Sequence, residues 1–163
     1  MFRVAVITSS DSGYQGKRED KSGPEIERIV KEYGYEVVHK IILPDEREIL
    51  SNEMKRIADN DIADLILTTG GTGFSPRDCT PEATMDVVDR IVPGIPEAMR
   101  AFSLEITKRA MLSRAAAGIR KETLIINMPG SPKAVEECLH YIISELDHGL
   151  KILKGRESNC ARK

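Results

Sequence analysis

Residues 65–83 have the sequence Leu-Ile-Leu-Thr-Thr-Gly-Gly-Thr-Gly-Phe-Ser-Pro-Arg-Asp-Cys-Thr-Pro-Glu-Ala, and this stretch is the most informative about the fold. Its apolar start, rich in Ile and Leu and ending at paired glycines, is typical of a buried central strand that leads into a loop. The loop ends where Thr80 can serve as a helix N-cap and Pro81 as the first helical residue. The order strand, glycine-rich loop, helix predicts an α/β fold with this loop at the carboxyl end of a parallel strand.

The glycines of this stretch indicate a first candidate ligand. Gly70, Gly71 and Gly73 lack Cβ atoms, so neighbouring backbone N–H groups can crowd around a phosphate. A tight turn with positive φ is the simpler alternative for these residues. Three glycines in four residues, followed by Arg77 and Asp78, favour the phosphate loop. The motif G-x-x-x-x-G-K-[ST] does not occur, and no G-x-G-x-x-G follows a predicted strand.

The composition predicts one soluble domain over residues 1–155, followed by a polar tail over residues 156–163. A chain of 163 residues is long enough to bury a core. Its 24 Lys and Arg against 26 Asp and Glu give no positive field for nucleic acid or a membrane surface. No segment approaches the about 20 apolar residues of a membrane span. The three cysteines are too few and too scattered for a disulfide framework or a zinc site, which predicts reduced thiols and a cytoplasmic location.

Three further apolar runs predict strands that end in polar or glycine-containing loops. They cover residues 4–8, 37–42 and 123–128. The residues that follow these runs are Ser10 and Asp11, then Asp45, then Pro129, Gly130 and Ser131. In a doubly wound sheet such loops meet at one edge, where ligands bind. Two simpler roles remain open, namely an Asx turn at Ser10 and Asp11 and a helix N-cap at Asp45.

The helical pattern is clear in some segments and absent in others. A capping box that starts at Ser22 predicts a helix with Tyr33 on its apolar face. The spacing over residues 97–108 predicts a helix that buries Ala98, Ala101, Phe102 and Ile106. Ser131 is the predicted N-cap of the last helix, and the apolar spacing of this helix places Cys138 in the core. Residues 112–120 show no period and allow either a strand or a loop.

Two acids are the candidate catalytic residues. Asp45 and Asp78 both lie near a predicted phosphate loop, and the chain has no Walker lysine. Carboxylates beside phosphates are typical ligands of Mg²⁺, which neutralises charge in phosphoryl or nucleotidyl transfer. Asp78 has an alternative role as a turn residue or as a partner of Arg77 or Arg114. The residues alone therefore predict nucleotide or phosphate chemistry with Mg²⁺.

Several short motifs, taken together at their separations, are more specific than the glycine loop alone. They are Ser10-Asp11, Asp20-Lys21-Ser22-Gly23-Pro24, Pro44-Asp45-Glu46, Thr69-Gly70-Gly71-Thr72-Gly73, Arg77-Asp78-x-Thr80-Pro81-Glu82-Ala83, Leu112-Ser113-Arg114 and Pro129-Gly130-Ser131-Pro132-Lys133-Ala134. From Val4 to about Leu150 the chain resembles the molybdenum-cofactor biosynthesis family. That family includes bacterial molybdopterin adenylyltransferases and the equivalent domains of gephyrin and its plant counterpart. Cys79 departs from the pattern, since the family more often has an aliphatic or aromatic residue there.

The resemblance implies a three-layer α/β/α sandwich with a mostly parallel central sheet, usually a homotrimer. It implies an enzyme that uses Mg-ATP to adenylylate the terminal phosphate of molybdopterin, releases pyrophosphate, and hands its product to a molybdate-inserting enzyme. Asp45 and Asp78 would be the essential acids that place Mg²⁺ and ATP. The glycine loop would hold phosphate, and residues 129–131 would help to form the nucleotide pocket. The residues expected around the substrates are Ser10, Asp11, Gly70, Gly71, Thr72, Gly73, Arg77, Ser113, Arg114, Pro129, Gly130 and Ser131.

Three functions remain open at this point. An active adenylyltransferase needs both acids, and the chain keeps Asp45, Arg77 and Asp78, which favours activity. A catalytically inactive relative would instead bind molybdopterin and pass it to a partner. A phosphate-binding protein of another pathway is the third alternative. The chain lacks the additional domains of the related molybdate-inserting enzymes, which argues against that activity.

Overall fold

The computed structural model describes residues 1–156 and contains one mixed sheet covered by helices. The strands are β1 (Arg3–Ser9), β2 (Glu36–Leu43), β3 (Leu65–Thr69), β4 (Arg90–Ile91), β5 (Ala117–Arg120) and β6 (Thr123–Met128). The helices are α1 (Asp11–Tyr14), α2 (Ser22–Glu32), α3 (Arg47–Asp59), α4 (Thr80–Val87), α5 (Gly94–Leu104) and α6 (Pro132–Leu153), with a 3₁₀ turn over Lys108–Leu112. Within these described residues, no helix has both the length and the apolar character that crossing a bilayer requires.

The sheet has the strand order β2-β1-β3-β6-β5-β4. The first four strands of this order are parallel, with Val4 opposite Leu65 and Leu65 opposite Leu124. β5 pairs antiparallel with β6, and β4 pairs antiparallel with β5. The prediction of a mostly parallel central sheet is therefore confirmed.

Side chains of β3 alternate between two cores, one on each face of the sheet. Leu65 and Leu67 pack in the core that contains residues of α2 and α6. Ile66 packs in the core that contains residues of α3 and α4. A strand covered on both faces needs apolar residues at consecutive positions, which explains the unbroken apolar runs of the sequence. The predicted three-layer α/β/α sandwich is confirmed.

The last helix follows its sequence prediction closely. Ser131 is the N-cap of α6, and its Oγ accepts a hydrogen bond from the Ala134 amide at 3.2 Å. Cys138 lies in the core, with 2% of its surface exposed. A capped N-terminus and one buried apolar face together explain why this helix extends over 22 residues.

Two predicted helix starts are wrong in detail. Ser22 does not provide a capping box, because it is the first residue of α2 and Oδ1 of Asp20 accepts the Gly23 amide at 3.0 Å. Thr80 is the first residue of α4 and not its N-cap. Its hydroxyl donates to the carbonyl oxygen of Gly70 at 2.9 Å, so a contact with the glycine loop replaces the capping bond.

The burial predicted for the middle of the chain is also partly wrong. The helix expected over residues 97–108 is α5, which begins at Gly94 and ends at Leu104. It buries Pro96 and Met99, whereas the side chains expected in the core are half-buried (Ala98 and Phe102) or exposed (Ala101 and Ile106). For Ile106 the cause is the early end of the helix, because the chain turns after Leu104 and residues 105–112 leave the core face. Ala98, Ala101 and Phe102 lie inside α5, whose buried side chains are Pro96 and Met99.

Three remaining predictions have different outcomes. Tyr33, predicted on the apolar face of α2, lies at the C-cap and is 47% exposed. Residues 112–120, for which a strand and a loop are both open, contain the end of the 3₁₀ turn, a loop and β5. Residues 157–163 of the predicted polar tail, which include Cys160, lie outside the described residues, so the domain boundary at residue 155 stays a prediction.

Candidate functional site

The carboxyl ends of β1, β2, β3 and β6 lie at one edge of the sheet, because these four strands are parallel. The loops at this edge carry most of the residues expected from the sequence, namely Ser10 and Asp11 after β1, Asp45 after β2, Gly70 to Asp78 after β3, and Pro129 to Ser131 after β6. Ser113 and Arg114 reach the same place from the segment before β5, where the Arg114 amide donates to the Thr72 carbonyl at 2.9 Å. The predicted site residues therefore gather on adjoining loops.

Asp45 connects the loops that follow β1 and β2. Its Oδ1 accepts the buried Ser9 hydroxyl at 2.6 Å, and its Oδ2 accepts the Asp11 amide at 3.0 Å. The Asp45 amide in turn donates to Oδ1 of Asp11 at 2.9 Å. The simpler alternative of a helix N-cap at Asp45 is wrong, because the N-cap of α3 is Glu46, which makes no side-chain capping bond. The two loops are joined through this carboxylate.

Arg77 ties the loop after β3 to the same two loops. Its guanidinium donates to Oδ2 of Asp11 at 3.0 Å and to Oε1 of Glu46 at 2.8 Å. Hydrogen bonds from Arg77 and from the Asp45 amide hold the pKa of Asp11 below its ordinary value. Since Arg77 is half exposed, this ion pair lies at the solvent boundary of the site.

The glycine loop has a backbone that other residues would strain. Gly70 and Gly71 have φ values of +89° and +69°, in the left-handed region that favours glycine. A Cβ atom on Gly70 would lie 2.4 Å from the carbonyl oxygen of Ser9, which is backbone and cannot rotate away. The expected turn with positive φ is therefore present, and it brings the chain into close contact with the end of β1.

The Asp78 carboxylate binds the backbone of the second half of this loop. Its Oδ2 accepts the amides of Gly73 and Ser75, at 3.1 Å and 3.2 Å. Two N–H groups of the predicted phosphate loop, those of Gly73 and Ser75, therefore bind the Asp78 carboxylate instead of being available to a phosphate. The alternative role of Asp78 as a turn residue is present, and it leaves part of the carboxylate's acceptor capacity for a cation.

Arg114 contacts the same loop from the other side. Its Nε donates to the Gly73 carbonyl at 2.8 Å, and its Nη2 donates to the Asp78 carbonyl at 3.0 Å. Its Nη1 forms an ion pair with Glu82, in the first turn of α4. The neighbouring Ser113 accepts the Ala115 amide at its Oγ. The partners of the Arg114 side chain are thus protein groups around Asp78.

The loop after β6 is shorter and more open. The Thr69 hydroxyl donates to the Pro129 carbonyl at 2.6 Å and so connects the ends of β3 and β6. Gly130 and Ser131 are exposed at the start of α6. Because the N-terminus of a long helix attracts anions, this loop is suited to face a phosphate.

Two cavities open at this edge, and Gly130 lines both of them. The larger cavity has a volume of 610 Å³ and reaches from Gly70 to the start of α6 and to residues 18–22. The smaller cavity has a volume of 310 Å³ and reaches from Thr72 and Gly73 to residues 96–115. Two adjoining cavities that share one exposed glycine fit two ligands that meet there.

Several residues at this edge of the sheet were not predicted from the sequence to belong to the site. Arg18 and Lys21 are exposed cations that line the larger cavity. They lie in the polar segment after β1, whose unusual length was a signal of function. Ser9 and Glu46, which contact Asp45 and Arg77, could have been found by examining every polar residue at a strand end.

The two described cysteines are free and differ in their surroundings. Burial raises the pKa of the Cys79 thiol, and the negative charge of Asp45 raises it further. Burial also raises the pKa of Cys138, whose Sγ lies 3.2 Å from the Ser103 hydroxyl. Both side chains are therefore neutral thiols at ordinary pH, and the departure at Cys79 adds no charge beside Asp78.

The carboxylates fit a magnesium ion that arrives with a polyphosphate. Among residues 1–156, no three His, Cys, Asp or Glu side chains group closely enough to hold a metal alone. Mg²⁺ usually takes one or two protein carboxylates and completes its shell with phosphate oxygens and water. Asp45 and Asp78 are the carboxylates at this edge that could take part in such a shell.

Fold and site together define an α/β sandwich whose candidate ligand site lies at the carboxyl edge of a parallel sheet. Residues 5–148 match the family described as probable molybdopterin binding domain, and the chain belongs to this family. The resemblance noted in the sequence is thereby confirmed.

Individual relatives agree with this assignment. The chain is 39% identical over 156 residues to molybdopterin adenylyltransferase of Helicobacter pylori strain J99, a match that covers 94% of this chain and 89% of that protein. It is 42% identical over 164 residues to gephyrin of Dictyostelium discoideum, covering 94% of this chain and 23% of gephyrin. The crystal structure of the molybdopterin biosynthesis enzyme MoaB from Thermus thermophilus has a TM-score of 0.89 and 44% identity, covering 95% of this chain and 98% of that one.

Proposed function

We propose that this protein is a molybdopterin adenylyltransferase, a nucleotidyltransferase of molybdenum cofactor biosynthesis. The observation that carries the proposal is the pair of cavities that share Gly130, both bordered by the glycine loop. A transfer between two substrates requires that both are held with their reacting atoms in contact. The name and the coverage of the Helicobacter relative support the same activity.

The proposed reaction joins two phosphates. An oxygen of the terminal phosphate of molybdopterin attacks the α-phosphorus of ATP. The new phosphorus–oxygen bond forms as the bond from the α-phosphorus to its bridging oxygen breaks, and pyrophosphate leaves with that electron pair. Because the nucleophile belongs to the substrate, the protein has to position the two phosphates and stabilise charge.

Asp45 and Asp78 are the proposed essential acids and would hold Mg²⁺ together with ATP. The ion would neutralise charge on the phosphates. Asp45 is kept in place by Ser9 and Asp11, and Asp78 by the amides of its own loop. Each acid therefore has a defined position before any ligand binds, which lowers the entropic cost of assembling the site.

The remaining proposed binding residues lie on loops at the same edge of the sheet, and several of them line one of the two cavities. Gly130 and Ser131 lie at the N-terminus of α6, where a phosphate is stabilised by the helix dipole. The other residues proposed to lie around the substrates are Ser10, Asp11, Gly70, Gly71, Thr72, Gly73, Arg77, Ser113 and Pro129. Arg114, which the resemblance also implies there, contacts the glycine loop.

Assembly, compartment and pathway position are part of the same proposal. A homotrimer is proposed from the family, and exposed apolar side chains within residues 91–112 are available for contacts between copies, namely Ile91, Leu104, Ile106, Met111 and Leu112. The cytoplasm is proposed as the compartment because the described cysteines are free thiols. The adenylylated product would pass to a separate molybdate-inserting enzyme.

The test is to incubate the purified protein with molybdopterin and Mg-ATP, following pyrophosphate release and the mass of the pterin product. Asp45→Asn and Asp78→Asn are run in parallel, because each removes a charge with little change of shape. Asp147→Asn is the matched control, since this half-exposed side chain lies near the far end of α6. Sedimentation equilibrium of the same sample reads its mass, with a trimer expected and a monomer contradicting the assembly.

The expected result is adenylylated molybdopterin from the parent and from Asp147→Asn, with the rate reduced about a hundredfold or more in the two site variants. A parent that binds molybdopterin but forms no adenylylated product would contradict the enzyme and support the binding-only alternative. A parent that is stabilised by unrelated phosphate metabolites and does not bind molybdopterin would contradict both.

A further inference from the structure

The side chain of Arg114 binds both ends of the loop that carries Asp78. Its Nε donates to the Gly73 carbonyl at 2.8 Å, and its Nη2 donates to the Asp78 carbonyl at 3.0 Å. Its backbone amide donates to the Thr72 carbonyl at 2.9 Å. Three carbonyl groups of residues 72–78 are therefore fixed by one arginine. The planar guanidinium provides two of these three bonds, because its donors point in set directions.

Glu82 holds this guanidinium against α4. Its Oε1 forms the ion pair with Nη1 of Arg114. Its Oε2 is buried and has no hydrogen-bond partner among the described residues. A buried carboxylate oxygen without a partner lowers stability. The arrangement is therefore explained better by the position that it gives to Arg114 than by a contribution to folding.

The segment that carries Arg114 is itself held from α5. Nη1 of Arg100 donates to the Ala115 carbonyl at 2.9 Å and contacts the Ser113 carbonyl at 3.4 Å. Both carbonyls flank Arg114 in the chain. α5, the segment before β5, the glycine loop and α4 are thus connected through two arginines, and the connection ends at the peptide group of Asp78.

We infer that Arg114, held by Glu82, is a positioning residue that sets the place of the Asp78 carboxylate, and that it does not act by binding substrate. The inference rests on the proposed function for the role of Asp78. The loop amides orient the carboxylate from within, since Gly73 and Ser75 donate to it. Arg114 fixes the carbonyl side of the same loop. The loop therefore keeps a single conformation only when both sets of hydrogen bonds are present, those from its own amides to Asp78 and those from Arg114 to its carbonyl groups.

The experiment compares Arg114→Lys and Glu82→Gln with the parent. Lysine keeps the positive charge but lacks the fork of donors, so it can replace a phosphate contact better than it can bridge two carbonyls. Two quantities are measured on the full chain: kcat and KM for ATP with molybdopterin present, and hydrogen exchange of the amides over residues 72–78 without ligands. Arg90→Lys, in the exposed strand β4, is the matched control.

For Arg114→Lys we expect loop exchange to accelerate about tenfold and kcat to fall about tenfold or more, while KM for ATP stays within about twofold. Glu82→Gln should change the same quantities in the same direction by less, and Arg90→Lys should change neither. A raised KM with unchanged exchange and unchanged kcat would overturn the inference in favour of substrate contact. Unchanged exchange and kinetics would also overturn it.

The two proposals fail in different ways. If the parent makes no product, the proposed function is wrong, but hydrogen exchange still reports whether Arg114 and Glu82 hold the loop. If the parent is active and loop exchange in both variants equals that of the parent, the proposed enzymatic function stands and the positioning role of Arg114 is wrong.

Discussion

The loops after β3 and β6 both lead from a parallel strand to a helix at the same edge of the sheet, yet they are built differently. In the loop after β3, Gly70 has a φ of +89° and no room for a Cβ, and buried Thr80 binds its carbonyl. In the loop after β6, Gly130 is exposed, and the nearest atom to an added Cβ would be 3.5 Å away.

This difference separates two uses of glycine. The shape of the loop after β3 is determined by contacts inside the protein, so it can hold Asp78 in place. The loop after β6 makes fewer such contacts around Gly130, and this exposed glycine lines both cavities, whereas Gly70 lines only the larger one. We therefore expect substitutions in the first loop to change folding and those in the second to change ligand binding.

The largest difference between the two loops is expected when Gly70 and Gly130 are each replaced by alanine. Gly70→Ala should lower the free energy of unfolding by about 3 kcal/mol, because left-handed strain adds to the contact with the Ser9 carbonyl. Gly130→Ala should change it by about 1 kcal/mol or less, in either direction, and should weaken substrate binding. Urea denaturation measures the first quantity and ligand titration the second. Equal destabilisation by both variants would contradict the comparison.

A smaller effect is expected at the two residues that start the helices. Thr80→Val should lower the free energy of unfolding by about 2 kcal/mol, because the Gly70 carbonyl loses its hydroxyl donor. Ser131→Ala should lower it by about 1 kcal/mol through loss of the N-cap bond to Ala134. Ser131→Asn keeps a cap and is the control. If Ser131→Ala is more destabilising than Thr80→Val, the loop after β6 contributes more to folding than the comparison allows.

The parallel half of the sheet could be predicted because its signals are local. β3 and β6 each contain three consecutive apolar residues, at 65–67 and 124–126, and each ends at a loop that leads into a helix. The antiparallel edge could not be predicted in the same way. β4 has two residues and β5 has four, which is too short for a period. β5 is a strand because it pairs with β6, and β4 is a strand because it pairs with β5.

The gathering of the candidate residues at one edge of the sheet could be predicted, but their contacts with one another could not. Parallel topology places Asp45 and Asp78 at one edge, and this follows from the order of elements. The reciprocal bonds between Asp11 and Asp45 depend on the path of two loops, and so does the contact of Arg114 with the Asp78 carbonyl. Loop paths are set by distant packing, which a sequence pattern does not report.

The smallest effect is expected from the ion pair that joins the loop after β3 to the loop after β1. Arg77 keeps the pKa of Asp11 below its ordinary value, so the pair stabilises the folded state when Asp11 is ionised. This stabilisation is complete above the pKa of an unfolded aspartate, about 3.9, and is lost as the pH falls through the lower pKa of the folded state. Arg77→Gln should therefore lower Tm slightly at pH 7, and its difference from the parent should shrink towards pH 3. Because the pair is partly exposed to solvent, high salt should also reduce the difference at pH 7. A difference in Tm that stays constant from pH 7 to pH 3 would show that Arg77 acts through packing and not through Asp11.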